Sequence, residues 1–133
     1  MKLAVDTNVV LRYLLADDIE QATIAHQVMR EATLVAIALP VLCEVAWNLS
    51  RGYKLAAEDI ANAIAVLVEA DNVEVDRGGV DAGLAMLRAG GDFADGVIAY
   101  EGLALGAEVF TTFDKKAVAI LKKHSSIRTR LLS

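Results

Sequence analysis

The chain is poor in the residues that build disulfides and zinc sites: it has one cysteine and two histidines among 133 residues. Cys43 cannot form a disulfide within the chain, and its position between Leu42 and Glu44 favours a small packing residue over a nucleophile. His26 and His124 lie far apart in sequence and lack the spacing of zinc ligands. A disulfide framework is therefore excluded, and a zinc site or a Cys/His catalyst is disfavoured.

Long apolar runs are also absent. The longest stretch without a charged residue, Ala32 to Cys43, has 12 residues and contains the only proline, whereas a membrane-spanning helix needs about 20. Asp6 interrupts the one N-terminal candidate for the apolar core of a signal peptide. We therefore expect no membrane span and a cytoplasmic location. The sequence has no glycine-rich phosphate loop, so a nucleotide cofactor has no support.

Apolar side chains are abundant, at 56% of all residues. A chain of this length can bury a core without disulfides, so we predict a single domain over residues 1–133. Such a high apolar fraction also predicts apolar surface that a partner covers, either a second copy in a homodimer or another protein.

Helical and strand-like patterns alternate along the chain. Apolar residues recur at helical spacing in three segments, around positions 41–49, 60–68 and 80–87. Four short strands are predicted between or beside them: Lys2–Val5, Leu34–Ile37, Val73–Val75 and Glu108–Thr111. This alternation predicts an α/β fold with three layers, in which helices flank a short, mainly parallel sheet of four to five strands.

Four carboxylates lie inside or at the end of apolar runs: Asp6, Glu44, Asp95 and Asp114. Asp6 and Asp114 each follow a predicted strand, and ligands bind at the C-terminal ends of strands in open α/β sheets. Carboxylates that share a buried site need a counter-charge, and Mg²⁺ or Mn²⁺ prefers oxygen ligands. The pattern predicts a divalent-metal site, which commonly serves phosphodiester chemistry.

Helix capping is the alternative explanation for the aspartates. Asp is a favoured N-cap residue, and both Asp6 and Asp114 precede a helical pattern. Asp92 opens a segment that resembles a capping box, so we interpret it as a cap rather than a ligand. We expect Asp95 to head the helix that follows. Glu44 is harder to explain by a local role, because its apolar neighbours leave little room on a solvated face, although Asn48 could pair with it.

The order of these motifs resembles a known family. Asp-Thr-Asn from position 6, the helical Glu44, Asp-Phe-Ala-Asp-Gly from position 92 and Thr-Thr-Phe-Asp-Lys from position 111 are similar to the acidic signature of PIN-domain nucleases. The spacing and length are most similar to the toxins of VapBC toxin–antitoxin operons. The resemblance covers nearly the whole chain. It implies a PIN-like fold, Mg²⁺- or Mn²⁺-dependent cleavage of RNA, and a small antitoxin protein as partner.

The resemblance also assigns roles to individual residues. It matches the metal-binding carboxylates to Asp6, Glu44, Asp95 and Asp114. It gives supporting roles to Thr7, Asn8 and Thr112, with Asp92 as a further supporting acid. Gly96 stands where relatives more often have alanine, which we expect to loosen the first turn of its helix by up to about 1 kcal/mol.

Charge is distributed unevenly along the chain. The net charge is −5, which argues against strong sequence-blind attraction to nucleic acid. Residues 114–133, however, contain six Lys or Arg and one acid. We predict that this basic stretch contacts RNA through Lys115, Lys116, Lys122 and Lys123, with Arg12, Arg51 and Lys54 as the next candidates. A solvated helix face is the alternative.

The aromatic residues are interpreted mostly as core or interface packing.

Two other functions compete with the nuclease. An aspartyl-phosphate enzyme with a DxD signature needs an acid two residues after Asp6, and that position holds Asn8. A receiver-like domain needs paired acids after its first strand, and these are missing too. A PIN-like binding module that has lost catalysis and acts through a protein partner remains the alternative.

Overall fold

In the computed structural model, which describes all 133 residues, strands and helices alternate as the sequence predicts, and the α/β class is confirmed. The chain divides into two units, Met1–Val75 and Asp76–Ser133. The seven helices are α1 Thr7–Leu14, α2 Ile19–Glu31, α3 Leu39–Arg51, α4 Ala57–Val68, α5 Arg77–Arg88, α6 Phe93–Ala104 and α7 Lys115–His124. The five strands are β1 Lys2–Ala4, β2 Leu34–Ala36, β3 Val73–Glu74, β4 Val109–Thr112 and β5 Arg128–Leu131.

All strand pairs are parallel, as predicted, but the five strands form two separate ladders. The first unit contains the three-stranded order β1-β2-β3, and the second contains β4-β5. Each connection between paired strands includes at least one helix, because parallel neighbours need a crossover. The prediction of one domain over residues 1–133 stays a prediction.

The core of the first unit lies where the central strand meets the inner faces of the helices. Val35 of β2 and Val10 of α1 are completely buried, as are Leu42 of α3 and Ile64 of α4. The buried residues of α4, which include Ile60, Ile64 and Leu67, follow the 3.6-residue period of one apolar face. Asn72 holds the end of α2 in place, because its side-chain amide donates to the carbonyl oxygens of Met29 and Ala32 at 2.8 and 3.0 Å.

The core of the second unit is a cluster of apolar side chains from every helix of the unit and from the segment before β5. Its members are Met86, Ala99, Ala117, Ile120, Leu121 and Ile127. Phe110 of β4 packs against this cluster. Helices α5 and α6 approach each other closely. The ring of Phe93 lies over Gly83, at a point where a Cβ atom on residue 83 would be 2.5 Å from the ring. Close helix approach of this kind requires glycine. No helix of the chain has the length and apolar character that a membrane crossing requires.

Candidate active site

Asp6 joins β1 to α1 and is the N-cap of that helix. Its Oδ1 atom accepts a hydrogen bond from the backbone N–H of Val9 at 3.0 Å, so the capping interpretation is confirmed. Thr7 and Asn8 form the first turn of α1. The side chain of Asp6 is exposed. Because the cap occupies one carboxylate oxygen, the second oxygen is left for another partner.

Glu44 lies on α3, and its predicted burial is wrong. The buried face of α3 is formed by Leu42, Val45, Ala46 and Leu49, so Glu44 falls on the opposite, solvent-exposed side together with Trp47. Asn48 does not pair with the carboxylate. Its side-chain amide instead donates to the backbone carbonyl oxygen of Glu44 at 2.8 Å. Val45 and Ala46 are adjacent to Glu44 in sequence but lie on the buried face, because side-chain direction follows the helical period.

Asp92 and Asp95 occupy different positions at the start of α6. Asp92 is the N-cap and accepts from the backbone N–H of Ala94 at 3.0 Å, as predicted. Asp95 does not head the helix but is its third residue, since α6 begins at Phe93. Asp92 is exposed, whereas Asp95 is half-buried. The expectation that Asp95 heads the helix is therefore wrong, because the cap at Asp92 already starts the helix at Phe93.

Desolvation raises the pKa of Asp95 above the usual aspartate range, and the negative charges of Asp92 and Asp114 raise it further. No cationic group contributes to this environment. Burial and two neighbouring carboxylates therefore both disfavour the charged form of Asp95. A divalent cation is the type of ligand that relieves such repulsion.

Asp114 joins β4 to α7. Its Oδ1 atom accepts from the backbone N–H groups of Lys116 and Ala117, so this aspartate is an N-cap as well. The hydroxyl oxygen of Thr112 accepts from the backbone N–H of Asp114 at 3.0 Å. Thr112 thus contacts the backbone of the acid that the sequence pattern predicts it to support. Because both capping bonds use the same carboxylate oxygen, Oδ2 is outside the cap.

The donor chemistry of these residues fits a hard divalent cation, since every candidate ligand is a carboxylate oxygen. The structure nevertheless gathers no set of three or more acidic, histidine or cysteine side chains closely enough to hold a metal ion. The pairwise influence of Asp92 and Asp114 on Asp95 is the strongest link that it shows. The assignment of Asp6, Glu44, Asp95 and Asp114 as a ligand quartet stays a prediction.

Gly96 has a packing role that the sequence does not reveal. The residue is buried, and a Cβ atom built on it would be 2.3 Å from the carbonyl oxygen of Ala82 and 2.7 Å from Cγ of Met86. The missing side chain is what lets α6 lie against α5. The expected loosening of the helix is therefore countered by a close contact with α5 beside Asp95.

The four lysines of the basic stretch, Lys115, Lys116, Lys122 and Lys123, all lie on α7 and are exposed. The stem of Lys116 extends towards the Gly90 turn that precedes α6. Two more exposed cations, Arg128 and Arg130, follow on β5, which sequence reasoning did not identify as a strand. Among the other candidates, Arg12 is already paired, because its guanidinium donates to Asp17 at 2.8 Å.

Sequence reasoning also missed two exposed aromatic residues. Phe93 and Phe110 pack in the second unit as predicted. Trp47, however, is 57% exposed and Phe113 is 74% exposed. Both are close in sequence to a candidate carboxylate, since Trp47 follows Glu44 by one turn and Phe113 directly precedes Asp114. Their positions could have revealed their exposure, because each residue falls on the side of its segment opposite to the buried residues.

Residues 3–123 match the family model described as PIN domain, which is most of the chain. No curated protein matches the chain.

Proposed function

The chain belongs to the PIN-domain family, and we propose that it is a metal-dependent endoribonuclease that hydrolyses RNA phosphodiester bonds. PIN domains are typically nucleases and generally use divalent metal ions. The environment of Asp95 carries the proposal. Burial and the charges of two acidic neighbours raise the pKa of this half-buried carboxylate, and no cation contributes to the shift. That environment favours binding of Mg²⁺ or Mn²⁺.

The proposed metal ligands are Asp6, Glu44, Asp95 and Asp114. When bound, the metal ion would activate water for attack on the phosphorus and stabilise the charge on the leaving oxygen. The protein's own contribution is to hold the carboxylates. Backbone N–H groups at the start of α1 and α7 each fix one oxygen of Asp6 and Asp114 and leave the other oxygen free. Asp95 is held by its place in the first turn of α6.

Capping and metal binding are separable by substitution, because asparagine is as good an N-cap as aspartate but carries no charge. Asp6→Asn should retain the cap and lose RNA cleavage. Asp18 offers a matched control, since it caps α2 with an equivalent bond from the backbone N–H of Gln21. Asp18→Asn should retain cleavage. Equal cleavage by wild type and Asp6→Asn would contradict the proposal and favour the PIN-like module without catalysis.

The basic stretch is the proposed RNA-docking surface, because an acidic chain needs local positive charge to hold a polyanion. Its four lysines are exposed and lie on one helix, α7, which Asp114 caps. Replacing Lys122 and Lys123 with alanine should lower RNA affinity and reduce the salt dependence by about 0.7 unit of slope for each contact to single-stranded RNA. An unchanged slope would show that these lysines form only a solvated helix face.

The biological role that we propose is that of a VapC-type toxin held inactive by a small antitoxin. An apolar groove of about 320 Å³ between α1 and α2, lined mainly by Val9, Ile24, Ala25 and Val28, offers such a partner a surface. The wild-type chain expressed alone should arrest growth, whereas Asp6→Asn should not. Equal tolerance of both forms would remove support for the toxin role, and a direct cleavage assay would then test the nuclease separately.

A homodimer is the oligomeric state that we propose. Helix α6 exposes two large apolar side chains, Ile98 and Leu103. Exposed apolar surface of this kind is expected to be covered by a partner. Ile98→Lys should shift the chain from dimer to monomer in light scattering coupled to size-exclusion chromatography, and a wild type that is already monomeric would contradict the proposal.

A further inference from the structure

Phe113 is the most exposed aromatic residue of the chain, with 74% of its surface accessible. It follows the last residue of β4 and directly precedes Asp114. No ring contact or hydrogen bond involves its side chain, whereas Phe110, three residues earlier, packs against the core of the same unit. The ring therefore contributes little to the stability of its unit.

The residues next to Phe113 in the sequence are polar or charged, although the neighbouring strand places the exposed Leu131 opposite Thr112. Thr112 precedes the ring, and Asp114 and Lys115 follow it. On the neighbouring strand, Arg130 lies opposite Thr111 in the parallel register, and both residues are exposed. Arg128 is already paired in part, through a 3.2 Å contact with Glu108. The cations that remain free near the end of β4 are thus Lys115 and Arg130.

An exposed aromatic ring with one cation close in sequence and another on the adjacent strand has the chemistry of a platform for single-stranded nucleic acid. In such platforms a base stacks on the ring, and positively charged side chains bind the phosphates along the strand. A protein partner would instead be expected to cover a continuous apolar patch, and the residues that flank Phe113 in sequence are polar or charged. Charge complementarity therefore favours RNA as the occupant.

We propose that Phe113 is a base-stacking residue, and that Lys115 and Arg130 hold the adjoining phosphates of the same RNA strand. This inference rests on the proposed ribonuclease function and adds to it the residue that contacts a base. Because Phe113 adjoins Asp114, the stacked base belongs to a nucleotide close to that carboxylate. The contact depends on the face of the base, so it is tolerant of base identity.

Binding of a fluorescently labelled oligoribonucleotide, measured by anisotropy in chelator, tests the stacking without requiring cleavage. Phe113→Ala should weaken binding roughly 5- to 100-fold, the range expected for one stacked base. Phe113→Trp should restore it, because any large aromatic face can stack. Leu105→Ala is the matched control, since Leu105 is also exposed, at 89%, in the same unit but has no aromatic ring. The control should bind RNA as wild type does.

A second probe separates stacking from charge. Inorganic polyphosphate is a polyanion without bases, so Phe113→Ala should bind it as wild type does, while Lys115→Ala and Arg130→Ala should bind it more weakly. Equal RNA affinity of wild type and Phe113→Ala would overturn the stacking role, and cleavage by both would leave the proposed function intact. Loss of dimerisation or of antitoxin binding by Phe113→Ala, with unchanged RNA affinity, would assign the ring to a protein interface instead. A wild-type chain that neither binds nor cleaves RNA would overturn both proposals.

Discussion

Substitution of Gly96 by alanine tests how the position of Asp95 is set. Alanine is a better helix former than glycine by about 0.8–1.0 kcal/mol, so a loosely packed helix would be stabilised. In this structure the new Cβ atom would be 2.3 Å from the Ala82 carbonyl oxygen and 2.8 Å from its carbon. These are backbone atoms of α5, so relief requires that one helix moves. Overpacking of this kind costs about 1–3 kcal/mol.

The clash opposes and exceeds the propensity gain, so Gly96→Ala should lower the free energy of unfolding by up to about 2 kcal/mol. Gly102→Ala is the control on the same helix, because its Cβ atom would meet only the Ala107 side chain, at 3.9 Å. That change should stabilise the protein by about 0.4–1 kcal/mol. Urea unfolding of both variants measures the difference. A Gly96→Ala variant as stable as the Gly102→Ala variant would refute the close packing of α5 and α6.

Three further predictions concern the carboxylates. Folding raises the pKa of Asp95, so the native state binds this proton more tightly and stability falls as pH rises from the ordinary aspartate pKa to the raised one. Without metal, Asp95→Asn should therefore be more stable than wild type at neutral pH and equal to it in strong acid. A gain in stability that persists in acid would contradict this origin. Isothermal titration with Mn²⁺ should show a severe loss of affinity for Asp95→Asn and a modest one for Asp92→Asn, and the reverse ranking would refute the assignment of Asp95 as the ligand. Asp6→Ala, which loses the cap, should be less stable by about 0.5–2 kcal/mol, whereas Asp6→Asn should unfold at nearly the wild-type urea concentration.

Much of the fold is predictable from local patterns. The run Leu3-Ala4-Val5 followed by Asp6 predicts a strand that ends at a cap, and the structure has β1 to Ala4 and α1 from Thr7. The caps are predictable because the preference of aspartate for N-cap positions is a property of the local chain.

Helix α2 and strand β5 were not predictable in the same way. Only Ala25 and Met29 are buried on α2, so its apolar stripe is too narrow to stand out from the sequence. Strand β5 reads Arg-Thr-Arg-Leu, and its arginines mask a strand whose pairing with β4 is a long-range property. Pairing partners depend on tertiary context rather than on the segment itself.

The candidate site was predictable in its residue types and less so in its surroundings. The pattern of acids pointed to Asp95, whose pKa is raised by burial and by the charges of Asp92 and Asp114. Its role as a metal ligand stays a prediction. Apolar neighbours in sequence misled the reasoning for Glu44, because burial on a helix follows the position around its axis and not the adjacent residues. Phe113 was assigned to packing because its sequence neighbourhood was interpreted as apolar, but it lies between β4 and α7, where its side chain is exposed.

Cleavage of a single RNA substrate by one preparation, before chelation, after chelation and after Mn²⁺ is added back, tests the central claim most directly. The same series is measured with Asp95→Asn at a temperature where both proteins are folded. We predict that wild-type cleavage disappears with the chelator and returns with Mn²⁺, and that Asp95→Asn is inactive throughout. Cleavage that resists chelation, or full activity of folded Asp95→Asn, would contradict the assignment of this chain as a metal-dependent ribonuclease acting through Asp95.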